Sequence, residues 1–340
     1  MRRNPARFPR DDQRVYDAYI AGRQSAVLAA AVRIGLFDLL DAGSLDAATI
    51  GARLGTQPRP TEAMLAALLA MGLVGRDGAR RWALAPDASD YLVRGKPGWL
   101  GGLIDLEVEN FLSPAILLEA LRAGKPTVYG KPDPWAEHAA DPEKARRFTA
   151  AMHSISERPA AGLAEAVDFS GARRLLDVGG GSGALSLAIA SAWSHIECVI
   201  WDLPVVCGIA REYAAAAGLA DRVTAVPGDM FAQPFPTGFD VILVSQILHD
   251  WPIEKDRELV WKAHAALPSG GRLLVHEKLV DDDGKGPLAN ALVNLDMLVW
   301  TEGQQLSEGE LRTMLAAAGF GRIDRASTAG YWSVVTGWKA

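Results

Sequence analysis

The sequence predicts an α/β protein in which a helical winged-helix domain precedes a mostly parallel, doubly wound sheet domain. Three observations predict it. Strand and helix signals alternate from Arg173 to the end of the chain; the first strand runs through "LLDVGGGSGALSLAIA" into a glycine turn that opens a helix; and the N-terminal hundred residues show three helix patterns followed by two short alternating segments. Alternation of this kind implies a parallel sheet with helices on its faces, and three helices with a hairpin make a winged helix. The expected divisions are residues 1–100 for the winged helix, 101–168 for a helical linker, and 169–340 for the sheet domain.

In the first division Val27, Leu28, Val32, Leu36 and Leu39 recur at helical spacing and predict one helix from Tyr16 to about Leu40. A second helix is expected from Leu45 to Gly55 and a third from Thr61, with "LVGRDG" and "RRWALAP" as the wing. A DNA-recognition helix needs Arg, Lys, Asn or Gln facing base edges and phosphates. Between Thr61 and Leu73 the only charged residue is Glu62 and the rest is chiefly Ala, Leu and Met. The winged helix is therefore expected to bury apolar faces against a second copy of the chain, as a homodimer. The middle division carries "FLSPAILLEALRAG" and "ARRFTAAMHSISERPAAGLAEAV" around a Pro-rich loop. The strands of the third are expected in "RRLLDVGGG", "IECVIWDLP", "VTAVPGDM", "FDVILVSQIL", "GGRLLVHEK", "RIDRA" and "YWSVVTGW".

Composition narrows the partners. The chain has 340 residues, a net charge of -6 and a pI near 5.6, so no global field draws nucleic acid or an anionic membrane. The apolar run Ala26 to Val32 is cut by Arg33, far short of the roughly 20 residues that span a bilayer, and no secretory signal is expected. Cys198 and Cys207 sit in apolar context, which predicts reduced thiols in a soluble, cytoplasmic protein.

The glycine turn points to a nucleotide-type ligand, because a helix start offers unpaired N–H groups and glycine removes the Cβ that holds a ligand away. Gly179, Gly181 and Ala184 satisfy G-x-G-x-x-G/A, which leaves an NAD-dependent enzyme open. Asp202, 23 positions after Gly179, closes the next strand and suits the ribose of NAD or of S-adenosylmethionine equally. The later strands favour the second. "VPGDMF" puts Asp229 and Met230 where a carboxylate and a thioether meet an adenine, and "SQILHDWP" puts His249, Asp250 and Trp251 just past the fourth strand. All lie at carboxyl ends of strands, where open α/β sheets bind ligands.

The succession D-V-G-G-G-S-G, Asp202, Gly-Asp-Met-Phe and His-Asp-Trp resembles the S-adenosylmethionine-dependent O-methyltransferases of the caffeate and hydroxyindole type, which include many bacterial natural-product enzymes; the resemblance covers most of the chain. It implies a winged-helix dimerisation domain and a Rossmann-like class I methyltransferase domain. It further implies that Gly179 lies against the methionine portion of the cofactor, that Asp202 binds the ribose and that Asp229 with Met230 holds the adenine. Asp177, Gly181, Leu203, Gly228, Phe231 and Ser245 complete the expected cofactor set. His249 falls on the family's base and Glu277 on the carboxylate that orients it. Phe111, Met152, His153, Asn290, Asn294 and Met297 are the expected acceptor contacts, and no metal is expected.

The chemistry fits those types. A phenol near pKa 10 and an imidazole near 6.5 are mismatched by roughly 3.5 units, about 5 kcal/mol, so proton loss accompanies bond formation or nearby groups stabilise the oxyanion. A carboxylate on the other ring nitrogen sets the tautomer. His276 points to the opposite face by strand alternation and reads as structural, and Asp250 reads chiefly as a cap of the following helix. One departure from the family stands in "TEGQQLSEGEL", where Gln305 occupies the place of a second acidic residue. The alternatives are C- or N-methylation on the same fold, with His249, Asp250 and His153 as metal ligands for an α-keto acid, or a non-catalytic cofactor-binding partner protein.

Overall fold

The structure is a computed structural model that describes residues 10–107, 113–127, 135 and 140–340. It divides into two compact units, residues 1–109 and 110–340. In the first, Gly35 adopts φ 74 and splits the expected single helix into α1 (Gln13–Arg33) and α2 (Leu36–Asp41). An L-residue rarely adopts that conformation, so the helix stops there. α3 (Ala47–Leu54) begins where the Asp46 side chain accepts the Thr49 N–H at 2.9 Å. α4 (Pro58–Ala70) starts earlier than expected because Pro58 suits the first helical turn. β1 (Val74–Arg76) and β2 (Trp82–Leu84) form the antiparallel wing.

Leu65 and Leu68 of α4 are fully buried with Leu36, Phe37, Ile50 and Trp82 in the unit's own core. The apolar face expected to meet a second copy is thus largely used within the unit. Among the described residues of the unit, the large apolar side chains left exposed are instead Val15, Tyr16 and Tyr19 on α1, with Ile34 and Leu69. α5 (Pro86–Leu92) and α6 (Gly101–Glu107) complete the unit, and Arg33 pairs with Asp105. Residues 101–107, expected in the middle division, therefore belong with the winged helix.

The second unit opens with α7 (Pro114–Ala123) and α8 (Pro142–Ala166). It continues as β3 (Arg174–Val178), α9 (Ala184–Ala192), β4 (Glu197–Asp202), α10 (Pro204–Ala216), β5 (Val223–Pro227) and β6 (Val241–Ser245). Then follow α11 (Ile253–Ala266), β7 (Arg272–Glu277), α12 (Leu288–Trp300), α13 (Glu308–Ala317), β8 (Phe320–Ser327) and β9 (Ser333–Lys339). The sheet order is β5-β4-β3-β6-β7-β9-β8; the first five are parallel and the last two form an antiparallel edge. One core lies under β3 and β4 against α8, α9 and α10, and another lies on the opposite face against α11 and α13. That two-sided burial is why the strands read as continuous apolar runs.

α8 approaches the turn after β8 so closely that a Cβ on Gly162 would fall 2.8 Å from the Thr328 carbonyl oxygen. Gly162→Ala is expected to cost about 1–3 kcal/mol in chemical denaturation, since backbone must move. Gly208→Ala, in a helix with nothing within 4 Å, is expected to be neutral or to gain up to about 1 kcal/mol.

Candidate active site

The loop after β3 answers its own packing first. Gly179, Gly181 and Gly183 all have positive φ, at 64, 58 and 79. A Cβ at Gly179 would fall 2.4 Å from Ile247 Cδ1, and one at Gly183 would fall 2.3 Å from Ile200 Cδ1. Only Gly181 faces open space, with nothing within 4 Å. Asp177 lies beneath the turn, 1% exposed, and accepts the Ser186 hydroxyl at 2.6 Å; burial pushes its carboxyl up to about 6. It braces the loop from within.

The ends of β4 and β5 carry the other expected cofactor residues. Asp202 Oδ2 accepts the Gly181 N–H at 2.9 Å and Oδ1 accepts the Leu203 N–H at 2.6 Å; burial raises this carboxyl to about 6. Asp229 is exposed, and its Oδ1 accepts N–H groups of Phe231 and Ala232 at 2.8 and 3.0 Å, a local turn that presents the carboxylate at the strand end. Gly228 is required because a Cβ there would meet the Trp201 indole. Lys262 donates to the carbonyls of Met230 and Phe231 at 2.9 and 2.7 Å, holding the loop in place. The Phe231 ring meets Trp251 edge-on, with centroids 4.6 Å apart, and the Lys255 ammonium lies over both. Ser245 turns to His276, Oγ to Nδ1 at 3.0 Å.

β6 and β7 are neighbours with Ser245 opposite His276, and this register brings His249 to Glu277. His249 Nδ1 lies 2.8 Å from Glu277 Oε2, while Glu277 Oε1 accepts the Ile247 N–H at 3.1 Å. Nε2 lies 3.7 Å from Asp250 Oδ1. Burial opposes an imidazolium here, but the charges of Glu277, in ion-pair contact, and of Asp250 overcome it, raising His249 to about 9. Asp250 does not cap α11, whose N-cap is Pro252; its side chain turns to His249, and burial lifts it to about 7. His276 faces away as expected, between Ser245 and Thr328 and stacked on Trp332, and burial pushes it down to about 3.

Gln305 comes to His249 from the segment between α12 and α13. Its Nε2 is 3.1 Å from His249 Nδ1, and its backbone N–H donates to Asn294 Oδ1 at 2.7 Å. Gly303 permits this approach, since a Cβ there would fall 2.1 Å from the His249 carbonyl oxygen.

The expected acceptor contacts separate. Phe111 lies outside the described residues. Met152 and Met297 are half-buried on α8 and α12, and Phe148 and Trp300 bring those helices together with ring centroids 6.4 Å apart. Asn290 is corrected: it is 1% exposed and its amide donates to the carbonyls of Leu279 and Tyr331 at 2.7 and 3.2 Å, so it ties chain segments together. Asn294 holds the Gln305 backbone. His153 belongs to the glycine turn, with Nδ1 2.7 Å from Ser182 Oγ and its ring stacked on Tyr213 at 4.1 Å; burial lowers its pKa. Among the described residues no three His, Cys, Asp or Glu side chains are grouped for a metal.

Sequence reasoning missed Gln246, Ile247 and Asp256. Gln246 takes φ 56 and donates to Ser156 Oγ at 3.0 Å, linking β6 to α8. Asp256 is 1% exposed in the first turn of α11, with an unpartnered Oδ1 and with Glu277, His249 and Asp250 in electrostatic reach. Its sequence signal is weak, because an acid in a first helical turn ordinarily faces solvent.

Comparison with known proteins accords with this geometry. Residues 115–321 match the O-methyltransferase domain family, and residues 18–94 match the O-methyltransferase dimerisation domain. The chain is 38% identical over 322 residues to 3-hydroxy-5-methyl-1-naphthoate 3-O-methyltransferase of Streptomyces sahachiroi, covering 93% of this chain and 92% of that one. It is 33% identical to N,N-dimethyltransferase OxyT of Streptomyces rimosus, with 88% of each covered. Human N-acetylserotonin methyltransferase, solved in complex with S-adenosylmethionine, superposes with a TM-score of 0.85 at 25% identity, covering 98% of this chain and 99% of that one. The sheet is a class I methyltransferase sheet, and the chain belongs to the S-adenosylmethionine-dependent O-methyltransferase family.

Burial and neighbouring acids push Asp256 up to about 8, so the folded chain holds a proton that the unfolded chain releases near pH 4. Stability from that proton is complete below pH 4 and is lost as pH rises to 8. Asp256→Asn is expected to leave the melting temperature unchanged at pH 4 and to raise it by several degrees at pH 8.5, read by calorimetry.

Proposed function

We propose that this chain transfers the methyl group of S-adenosylmethionine to a hydroxyl of a small aromatic or polyketide-like molecule, with His249 as general base and Glu277 as the carboxylate that orients it. The observation that carries the reading is the buried His249–Glu277 contact at 2.8 Å at the edge that also holds the glycine turn and Asp202. The naphthoate O-methyltransferase named above supports the acceptor class.

The residues fit the cofactor. Gly181 leaves an open face, Asp202 offers a carboxylate to ribose hydroxyls, Asp229 offers one to the adenine amine, and Gly179, Leu203, Gly228, Met230 and Phe231 surround these positions. S-adenosylmethionine supplies a methyl group already activated on a sulfonium, so the chain's own task is to align the acceptor and take its proton. With Glu277 on Nδ1, the Nε2 lone pair is the one available to the acceptor hydroxyl. Raising His249 to about 9 brings it within about one pH unit of an ordinary phenol, roughly 1.4 kcal/mol. The imidazolium then faces Asp250, 3.7 Å from Nε2. In this reading Met152, Met297 and Asn294 face the acceptor, whereas His153 steadies the glycine turn on its Ser182 side.

The dimerisation domain and the exposed Val15, Tyr16 and Tyr19 support a homodimer formed through the first unit. Two free buried cysteines fit a cytoplasmic setting, and no helix among the described residues is long and apolar enough to cross a membrane. N-methylation is the second reading, favoured by the likeness to an N,N-dimethyltransferase. It would need no base as strong as His249.

His249→Ala is expected to lower kcat on a phenolic acceptor at least about 100-fold while S-adenosylhomocysteine affinity by calorimetry stays within about twofold; undiminished turnover would remove the base assignment. kcat/KM is expected to rise with pH through an inflection near 9 and to level off above it, because His249 must be unprotonated to accept a proton. Glu277→Gln is expected to move that inflection to lower pH and to lower the plateau.

A further inference from the structure

We infer that Gln305 sets how acidic an acceptor hydroxyl must be before this chain methylates it, by turning an amide N–H toward the same nitrogen of His249 that Glu277 loads with a proton. The inference rests on His249 being the base.

Two neighbours pull that nitrogen in opposite directions. Glu277 Oε2, 2.8 Å away, favours a proton on Nδ1, which leaves the Nε2 lone pair for the acceptor. Gln305 Nε2, 3.1 Å away, favours a bare Nδ1 that accepts its N–H, which puts the proton on Nε2 facing Asp250 and closes the base. The segment that carries this amide is held in place. Gln305 is 2% exposed, its backbone N–H is held by Asn294, and the close approach of Gly303 to the His249 carbonyl leaves the segment little freedom. Among the described residues its Oε1 is buried without a hydrogen-bond partner, and the side-chain amide's hydrogen bond is the one to the imidazole. The charged and titratable groups facing His249 from the other elements are Glu277 on β7, Lys278 after it, Asp250 beside it and Asp256 on α11.

A carboxylate at this place has no hydrogen to give. It would favour the Nδ1–H form and the imidazolium together, whereas the amide opposes both. The amide therefore restrains the base. A hydroxyl that is already acidified, by a conjugated carbonyl or nitro group on its ring, gives up its proton with less help from the base than an unactivated phenol needs. The acceptor class that fits is an aromatic hydroxyl conjugated to an electron-withdrawing group.

The test uses the full-length protein with 15N-labelled histidine, its His249 signals assigned by their loss in His249→Ala. In Gln305→Glu the titration midpoint of His249 is expected to rise by about one pH unit. In Gln305→Met, which removes the N–H without adding charge, the Nδ1 shift above the midpoint is expected to move toward the protonated form. The kcat/KM ratio of a nitronaphthol to the parent naphthol, with S-adenosylmethionine as donor, is expected to fall about tenfold in Gln305→Glu. An unmoved midpoint with an unmoved Nδ1 shift overturns the inference, and so does an unchanged ratio with a moved midpoint. Full turnover by His249→Ala is a different result, since it defeats the base reading while the NMR shifts still stand.

Discussion

Five parallel strands ending at one edge are the constraint on which the site depends. Because β3, β4, β5, β6 and β7 all run the same way, five loops that are distant in sequence open side by side. The pairing of Ser245 with His276 then fixes where each loop starts, so Glu277 and His249 meet without either loop being long. A register slip by one residue would exchange Glu277 for His276 at that edge and leave the imidazole without its carboxylate. Burial of both faces of the sheet specifies the register, since a slip would carry whole rows of apolar side chains to the wrong core.

The same edge gathers charge that the interior does not welcome. Asp177, Asp202, Asp250 and Asp256 all have carboxyls raised by burial, and His249 is raised against burial by its acidic neighbours. Groups displaced in this way cluster where chemistry is done, because stability is given up to hold them. The structure limits the cost with local partners. Asp177 has Ser186, Asp202 has two N–H groups, and His249 has Glu277. Among the described residues Asp256 Oδ1, Glu277 Oε2 and Gln305 Oε1 have no hydrogen-bond partner.

What was legible in the sequence was legible because its cause is local. The glycine turn, Asp202 at the end of β4, Asp229 in the tight turn after β5 and the His-Asp-Trp segment after β6 are all strand-end features, and a strand end can be read from a short run of residues. Even there the reason shifted. Gly179 and Gly183 are demanded first by Ile247 and Ile200, and only Gly181 opens outward. The break at Gly35 was missed because an apolar period continues across it, and a left-handed φ leaves no mark on that period.

By itself the sequence determined the order of strands and helices, the family, and the residue types at the sheet edge, because periodicity and turn chemistry act over a few residues. The tertiary structure alone decided which side chains remain available at that edge. Asn290 is spent on two distant carbonyls, His153 is drawn to Ser182 29 positions away, and Gln246 is drawn to Ser156 90 positions away. It also decided that the Gln305 side chain comes to the Nδ1 of His249, the nitrogen that Glu277 faces. Such contacts join segments far apart in the chain, and the packing that brings them together leaves no period for a sequence to show.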